Sequence, residues 1–473
     1  MRMAIALCLL AFGGMLCGCS SPVAYFPANG ATSVCPDAPL RVTLHSTTLP
    51  SVLSGKIQII SAADNGSVET IDLSKKTAVK SIGGLANYNY YSVMAIGKEL
   101  AIYPAAALGY GRTYVVKVDP GALGDAVKPA DWRFTTRAAP PAGGKKRIVV
   151  AADGTGDFCT VQGALDSIPD GNKSPVTIFV RKGVYTEMIY FANKHSITLL
   201  GEDRKQTIIQ YATNARFNGA PGVYHRGVLL AQKCNDFTLA NLTVRNTTPH
   251  GGSQAEAIIF NGSTSARAIV TNVDLFSFQD TLQINGQAYV SNCYIEGDVD
   301  FMWGSGPCFF ENCACHSVRS NAYYTQIRNP PTNHGYVYVY CTFDGDKGVS
   351  GNFLSRIEPI RFSASEVVLI DCVESASVGG AAWRLDSAPA ARGRAAGGAT
   401  GAPATRSAPN AANVHFWEYN CKTPDGKPID VSKRAGFSKQ LTDAEDKQTI
   451  ADYSNPAFVL GNDWTPKIPE GVK

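Results

Sequence analysis

The chain has 473 residues, of which 45% are hydrophobic, and a formal net charge of +4. This length and apolar content are sufficient for two domains, each with its own buried core. A charge of +4 spread over the whole chain, without a dense block of Lys and Arg, argues against a nucleic-acid partner.

The first nineteen residues have the pattern of an export signal. Arg2 precedes an apolar run from Met3 to Leu16, which is short for a membrane span. The run ends on Leu16-Cys17-Gly18-Cys19, which resembles the bacterial lipobox, where cleavage precedes a cysteine that becomes lipidated. This resemblance implies lipidation at Cys19, and the two serines that follow favour the outer membrane, periplasmic or surface-facing. The alternative is a simple secretory signal that contains chance cysteines.

Ten cysteines follow Cys19, and in an exported protein they first suggest disulfides. Four of them come directly after an apolar, β-rich run, a position that suits a small buried hydrophobic residue in a strand. These four are Cys293, Cys313, Cys341 and Cys372. We therefore expect most of the ten to be free thiols, while Cys35, Cys159 and Cys421 stay undecided.

Residues 24–137 are predicted to form a small β-sandwich, because short apolar runs alternate there with turn residues. The runs are Leu40 to Leu44, Lys56 to Ile60, Tyr90 to Ile96, Thr113 to Val118 and Trp132 to Thr135. The segment resembles bacterial immunoglobulin-like modules and carries no constellation of reactive residues, so we expect a spacer or weak binding role. Residues 138–146, rich in Ala, Pro, Gly and Lys, have the composition of a linker.

Residues 147–473 are predicted to form a right-handed parallel β-helix, so the fold class as a whole is all-β. Asn241, Asn272, Asn292 and Asn312 follow β-rich runs at separations of 31, 20 and 20 residues. A minimum period near 20 with variable insertions is typical of one coil per repeat, with the excess length forming loops. Stacked Asn side chains also stabilise such a ladder through hydrogen bonds between their amides.

Three segments depart from the repeat. A helix from about Thr160 to Ser167 is expected to cover the open first coil, and the C-terminal stretch from Val414 is expected to cover the other end. Residues 387–412 consist almost entirely of Ala, Gly, Pro, Arg, Ser and Thr. This composition predicts a disordered low-complexity insertion.

The coil register brings two acids together. Asp280 lies eight residues after Asn272, and Asp300 lies eight residues after Asn292. The two should therefore be stacked in consecutive coils about 4.8 Å apart, the spacing of paired strands. Carboxylates so close cannot both ionise easily, which separates their pKa values and provides a general acid beside a nucleophile. A single Asp of this kind is more often a turn residue whose carboxylate accepts from backbone amides; the matched register of two favours catalysis.

Ester hydrolysis also needs hydrogen-bond donors where the carbonyl oxygen becomes negative. Gln254 and Gln279 are candidates for this role, and Arg356 is a candidate cation that keeps a nucleophilic carboxylate ionised. Each of the three, taken alone, is an ordinary strand or surface residue.

These residues belong to a set of motifs that resembles the pectin methylesterases of carbohydrate esterase family 8, over residues 147–469. The motifs are Gly183-Val184-Tyr185-Thr186-Glu187, Gln254-Ala255-Glu256-Ala257, Gln279-Asp280-Thr281-Leu282, Asp300-Phe301-Met302-Trp303-Gly304, Thr325-Gln326-Ile327-Arg328, Leu354-Ser355-Arg356 and Trp417-Glu418-Tyr419-Asn420.

The resemblance implies hydrolysis of galacturonate methyl esters in pectin. Asp300 would be the nucleophile, Asp280 the general acid and then base, and Gln254 and Gln279 the donors to the oxyanion, while Arg356 would hold Asp300 ionised. No cofactor is implied, and seven histidines without metal-ligand spacing give no metal signal. We expect the enzyme to be a monomer.

The sequence departs from the family at the cleft. Where the family has Gly-Arg-Pro-Trp, this chain has Ser355-Arg356-Ile357-Glu358, so a carboxylate replaces an aromatic residue that flanks the sugar. Trp303, in a segment that is Phe-Ile-Phe in the family, is a candidate stacking face for the sugar, although a core or cleft-wall aromatic is an equally good interpretation. Phe278 is predicted to line the cleft. Phe278, Trp303 and Glu358 are therefore the predicted substrate-binding residues.

Two other functions stay open. A β-helical pectate lyase would need a calcium site of clustered carboxylates and a base for the C5 proton. A glycan-binding envelope protein would keep the motifs without activity.

Overall fold

The computed structural model describes residues 23–45, 49, 52–123, 132–219, 226–263, 266–387, 411–469 and 472. Cys19 and most of the predicted low-complexity insertion lie outside these residues. Among them there is no helix with the length and apolar character needed to cross a bilayer.

The N-terminal part is a β-sandwich. Its strands are β1 (Val23–Phe26), β2 (Ala31–Val34), β3 (Leu40–Leu44), β4 (Lys56–Ser61), β5 (Ser67–Asp72), β6 (Ala78–Ile82), β7 (Leu85–Tyr90), β8 (Val93–Ile96), β9 (Glu99–Ile102), β10 (Thr113–Val118) and β11 (Trp132–Thr136). One sheet has the order β1-β3-β9-β8 and the other β2-β11-β10-β4-β5. Buried and partly exposed side chains alternate along strands such as β3, which places Leu40, Val42 and Leu44 in the same core as Trp132.

The run that was predicted as one strand from Tyr90 to Ile96 is two strands, β7 and β8. β7 pairs with β6 in a separate hairpin, whose Tyr88 and Tyr90 pack into the core of the following domain. The two domains therefore share an apolar contact.

The remaining strands are β12 (Arg147–Val150), β13 (Val176–Val180), β14 (Gly183–Thr186), β15 (Ile189–Ala192), β16 (Ile197–Gly201), β17 (Thr207–Tyr211), β18 (Leu229–Gln232), β19 (Phe237–Ala240), β20 (Thr243–Asn246), β21 (Ile258–Asn261), β22 (Arg267–Thr271), β23 (Asp274–Phe276), β24 (Leu282–Ile284), β25 (Gln287–Ser291), β26 (Tyr294–Gly297), β27 (Val299–Gly304), β28 (Cys308–Glu311), β29 (Ala314–Ser317), β30 (Tyr323–Ile327), β31 (Tyr336–Val339), β32 (Thr342–Gly345), β33 (Phe353–Ile357), β34 (Glu366–Ile370), β35 (Val373–Glu374), β36 (Trp383–Leu385), β37 (His415–Tyr419) and β38 (Lys439–Gln440). The helices are α1 (Val161–Asp166), α2 (Ala215–Asn218), α3 (Lys447–Tyr453) and α4 (Pro456–Leu460).

These strands form three parallel sheets that wind around one core. The first runs β12-β13-β16-β19-β22-β25-β28-β31-β34-β37-β38, the second β14-β17-β20-β23-β26-β29-β32-β35, and the third β15-β18-β21-β24-β27-β30-β33-β36. Each strand pairs with the strand one coil later, so the predicted fold class, a β-sandwich followed by a parallel β-helix, is confirmed.

The Asn ladder occupies the bend between the first and second sheets. Asn241, Asn272, Asn292 and Asn312 all have φ between +52° and +57°, the left-handed conformation that Asn tolerates better than most residues. The Asn272 side-chain amide donates to Asn241 Oδ1 at 2.8 Å. This bond joins the bends of two consecutive coils, and the shared left-handed backbone places the same bend in the next two.

Five cysteines lie in the core, each directly after a residue with left-handed backbone, namely Asn292, Asn312, Tyr340, Asp371 and Asn420. Cys293, Cys313, Cys341, Cys372 and Cys421 are all buried, and the ten described cysteines carry free thiols. Burial of a thiol with no disulfide is the behaviour of a small hydrophobic residue.

Helix α1 confirms the predicted segment, and the Thr160 side chain caps it by accepting from the Gly163 N–H. It packs Val161 and Leu165 onto the first coil. The C-terminal stretch covers the other end only in part, where Ile429, Ala435 and Phe437 pack against the core beside Phe416 of β37. β37 and β38 extend the first sheet, and α3 and α4 then pack against the outer face of that sheet, around Tyr289 and Phe309. The apolar outer positions of that sheet account for this docking.

Candidate active site

Asp280 and Asp300 occupy equivalent positions in consecutive coils: Asp280 lies just before β24, and Asp300 is the second residue of β27, where the strand register shifts. Two residues further along, Leu282 of β24 pairs with Met302 of β27, and the Asp280 N–H donates to Val299 O at 3.1 Å. Both aspartates have left-handed backbone, with φ of +69° and +49°. The bend turns both side chains out of the ladder of strands, and both are largely buried, at 8% and 6% exposure.

Arg356 of β33 holds Asp300 with two hydrogen bonds. Its Nε donates to Asp300 Oδ1 at 2.9 Å and its Nη2 to Oδ2 at 2.6 Å. Arg356 also contacts Asp386 at 3.2 Å and lies over the ring of Tyr323 at 4.2 Å. Burial raises the pKa of Asp300 above its ordinary value, and the two hydrogen bonds and charge of Arg356 oppose that rise. This fork of bonds stabilises the carboxylate form.

Asp280 has a weaker cationic contact. Arg226 Nη2 lies 3.3 Å from Asp280 Oδ2, and the same guanidinium makes closer bonds to Glu256. Burial raises the pKa of Asp280 well above its ordinary value, the charges of Glu256 and Asp300 add to the rise, and Arg226 opposes it. The arrangement therefore favours a protonated Asp280 beside an ionised Asp300, the state that acid catalysis and nucleophilic attack require.

The two predicted glutamines line one cavity. A cavity of about 290 Å³ is bounded by Gln254, Gln279 and Phe278, with Arg216 and Arg319 also on its wall. Within the described part of the chain, the side-chain amide of Gln279 makes no hydrogen bond, and that of Gln254 only accepts one from Ser253. Both amide N–H groups are therefore available to a ligand in the cavity. Phe278 is half-buried against His250, with ring centroids 4.9 Å apart.

The other two predicted substrate-binding residues, Trp303 and Glu358, do not lie on the wall of this cavity, and neither do Asp280 and Asp300. Trp303 is only 8% exposed, with Arg328 over its ring at 4.8 Å and Arg226 at 5.5 Å. This makes it a wall of the site, with little free face for stacking. The Glu358 carboxylate forms an ion pair with Arg361 at 3.2 Å, so the charge that replaces the family's aromatic residue is partly neutralised.

Potential metal ligands meet away from this site. Cys35, Asp37 and Cys159 form one group of such atoms, and Glu374, Glu418 and Cys421 form another. In the second group both glutamates already bind Arg434, at 2.7 and 2.8 Å. Neither group includes a predicted site residue.

Four residues in contact with the predicted site were not assigned to it from the sequence: Arg226, Glu256, Arg328 and Asp386. Glu256 and Arg328 stand inside the quoted motifs, and a charged residue beside an apolar strand such as β21 was the available signal. Asp386 directly precedes the predicted insertion. Arg226 had no signal, because it reaches Asp280 from a different coil, 54 residues away.

Comparison with known proteins assigns both domains. The Pectinesterase family model matches residues 147–352, and a Bacterial Ig-like domain model matches residues 22–136. Pectinesterase 1 of Olea europaea is 31% identical over 322 residues, which cover 65% of this chain and 78% of that protein.

Solved structures share the fold. A pectin methylesterase from carrot superposes with a TM-score of 0.54 at 21% identity, covering 68% of this chain and 94% of that chain. A pectin methylesterase in complex with hexasaccharide VII superposes with a TM-score of 0.52 at 20% identity, covering 70% and 100%. With a relative more than 30% identical over most of its length and a β-helix in common, the chain belongs to the pectinesterase family of carboxylic ester hydrolases.

Proposed function

We propose that this enzyme hydrolyses the C6 methyl esters of galacturonate residues in pectin and releases methanol and pectate. The observation that carries the proposal is the stacked pair, in which Asp300 is bound by Arg356 through two short hydrogen bonds and Asp280 is not. Membership of the pectinesterase family supports the substrate class.

In the first half of the proposed reaction, an Asp300 carboxylate oxygen attacks the ester carbonyl carbon. The carbonyl oxygen becomes negative, and the amide N–H groups of Gln254 and Gln279 stabilise it. As the tetrahedral intermediate collapses, Asp280 donates its proton to the methoxy oxygen, so that methanol leaves and an acyl-enzyme anhydride remains.

In the second half, Asp280 is ionised and takes a proton from a water molecule, whose oxygen attacks the acyl carbon. The bond to Asp300 breaks, the galacturonic acid group is released and loses its proton to the solvent, and both aspartates return to their initial forms. Arg356 lowers the cost of regenerating the Asp300 anion in the buried site.

Methanol release from pectins of different esterification, and from rhamnogalacturonan fragments, tests the proposal. We expect methanol without the ultraviolet-absorbing unsaturated product of a lyase. An unsaturated product would instead support the pectate lyase interpretation. Binding to the glycan without any methanol would support the non-catalytic one.

We further propose that the enzyme is an outer-membrane lipoprotein anchored at Cys19, periplasmic or surface-facing, and that it acts as a monomer. The basis is the apolar run that ends at Leu16-Cys17-Gly18-Cys19. Cys19→Ala should abolish labelling with a radioactive fatty acid, and an unlabelled parent protein would refute the anchor. Analytical ultracentrifugation of residues 20–473 tests the monomer.

A further inference from the structure

A third acid lies in the same column as the two aspartates. The Ala255 N–H donates to Gln279 O at 3.1 Å and the Ala257 N–H to Thr281 O at 2.8 Å. Glu256, which lies between these two alanines, is therefore one coil before Asp280 and level with it. Its side chain is completely buried. Glu256, Asp280 and Asp300 thus form a column of three buried acids in consecutive coils.

Two arginines donate hydrogen bonds to the acids of this column, one at each end. Arg356 makes its two closest bonds to Asp300, whereas Arg226 makes its two closest bonds, at 2.9 and 2.6 Å, to Glu256 Oε1. Only one longer contact, 3.3 Å, joins Arg226 to Asp280. Asp280, in the middle, is therefore oriented by a guanidinium whose charge is largely matched by another carboxylate.

This difference matters because the two aspartates have different tasks. A carboxylate that receives two hydrogen bonds from one guanidinium, as Asp300 does from Arg356, is stabilised in its ionised form, which suits a nucleophile. A group that must give a proton and then take one back needs a weaker cationic field.

We infer that Arg226 and Glu256 are positioning residues for Asp280: Arg226 orients its carboxyl group, and Glu256 occupies Arg226 so that Asp280 can exchange a proton. The inference rests on the proposed role of Asp280 as general acid and base. It assigns to these two residues a task in the reaction that neither performs by touching the ester.

Four charged groups face Asp280: Glu256 from the preceding coil, Arg226 from the segment before β18, Asp300 from the following coil, and Arg328 after β30. Removing the Glu256 charge leaves two cations and one anion around it. The Arg226 guanidinium then no longer binds a carboxylate at Glu256, so its charge acts more strongly on Asp280, and both changes lower the pKa of Asp280.

The test is the pH dependence of methanol release in Glu256→Gln. A general acid acts only while protonated, so activity is lost as the pH rises through its pKa. We expect the alkaline limb of kcat/KM to move down by about one pH unit, with about a tenfold loss above the limb and a much smaller change below it. An alkaline limb in its parental position, with a uniform loss at all pH values, would overturn the inference.

A second variant separates this effect from damage to the fold. Glu256→Gln combined with Arg226→Met removes both charges and leaves no unbalanced guanidinium. Its alkaline limb should return toward that of the parent, above the limb of the single variant, a reversal that additive structural damage does not produce. A double variant whose limb lies at or below that of Glu256→Gln would contradict the inference.

Glu374→Gln is the matched control, because Glu374 is equally buried and also pairs with an arginine, Arg434, at 2.7 Å. It should affect thermal unfolding without moving the pH limbs. A direct titration of Asp280, followed by the infrared carboxyl signal that Asp280→Asn lacks, needs no substrate. If the parent releases no methanol, the proposed function fails, and this titration still decides the inference: a lower midpoint in Glu256→Gln supports it and an unchanged midpoint overturns it.

Discussion

Asp280 and Asp300 occupy the same place in consecutive coils, with the same left-handed backbone and nearly the same burial. Their neighbours nevertheless differ. Asp300 receives two short bonds from Arg356, and Asp280 shares Arg226 with Glu256. The comparison teaches that a repeated backbone supplies the geometry, while side chains that reach in from other coils give the two carboxylates different electrostatic surroundings.

The largest expected effect comes from replacing the Asp300 carboxylate, which Arg356 binds, with an amide. Asp300→Asn removes the proposed nucleophile, and kcat for methanol release should fall by more than about 10⁴-fold. Asp274→Asn is the control, since Asp274 is also buried and bonded to an arginine, Arg204, at 2.7 Å; it should retain activity. Parental activity in Asp300→Asn would show that Asp300 is not the nucleophile.

The next effect concerns charge that develops on the substrate. Gln279→Ala removes an amide N–H from the cavity wall, and kcat should fall by about 10²- to 10³-fold with little change in KM. Gln287→Ala serves as a control, because Gln287 is buried and its amide donates to Leu460 O instead of facing the cavity. A change confined to KM would mean that Gln279 binds ground-state substrate only.

Arg356→Lys tests the two-bond grip on Asp300 itself. A lysine keeps the charge but loses the fork, which should lower kcat/KM by roughly tenfold to a hundredfold. A nucleophilic carboxylate loses activity as the pH falls through its pKa. Weaker stabilisation raises the pKa of Asp300, so the acid limb should move to higher pH.

The control for this variant is Arg384→Lys, because Arg384 contacts Asp386 and Tyr323 but makes no bond to Asp300. The measurement is kcat/KM over the full pH profile. If the acid limb of Arg356→Lys stays at the parental pH, the two hydrogen bonds from Arg356 do not set the ionisation of Asp300.

The smallest effect is expected from a change at Glu358. Glu358 is paired with the exposed Arg361, and pairs of this kind are worth at most about 1 kcal/mol. Glu358→Gln should therefore change KM by less than about fivefold, with better binding of weakly esterified pectin and a smaller difference at high salt. A change of more than tenfold would place the Glu358 charge directly on the substrate.

The coil architecture and the pairing of Asp280 with Asp300 could be predicted because both follow from spacing along the chain. Asn272 and Asn292 are 20 residues apart, as are the aspartates, and strand pairing converts equal spacing into stacking. Helix α1 was predictable for a similar local reason, because Thr160 is a good N-cap directly before apolar residues.

The other contacts of the site could not be predicted, because they depend on side chains from distant coils. Arg226 and Asp280 are separated by 54 residues, and nothing in the local pattern indicates which way a loop arginine points. The docking of α3 and α4 on the side of the β-helix was not predicted, because short amphipathic helices can cover either the end or the side of such a fold. The apolar outer face around Tyr289 and Phe309 decides between these two placements only when the whole sheet is assembled.

The Asn ladder has a consequence for how this scaffold can change over time. It fixes where each coil turns, with Asn241, Asn272, Asn292 and Asn312 in one file, while coil lengths from 20 to 31 residues are accommodated elsewhere. Insertions can therefore enlarge or reshape the surface that a polymer meets without shifting the two aspartates relative to each other. The surface that selects the substrate can therefore change while the arrangement of the two aspartates stays the same.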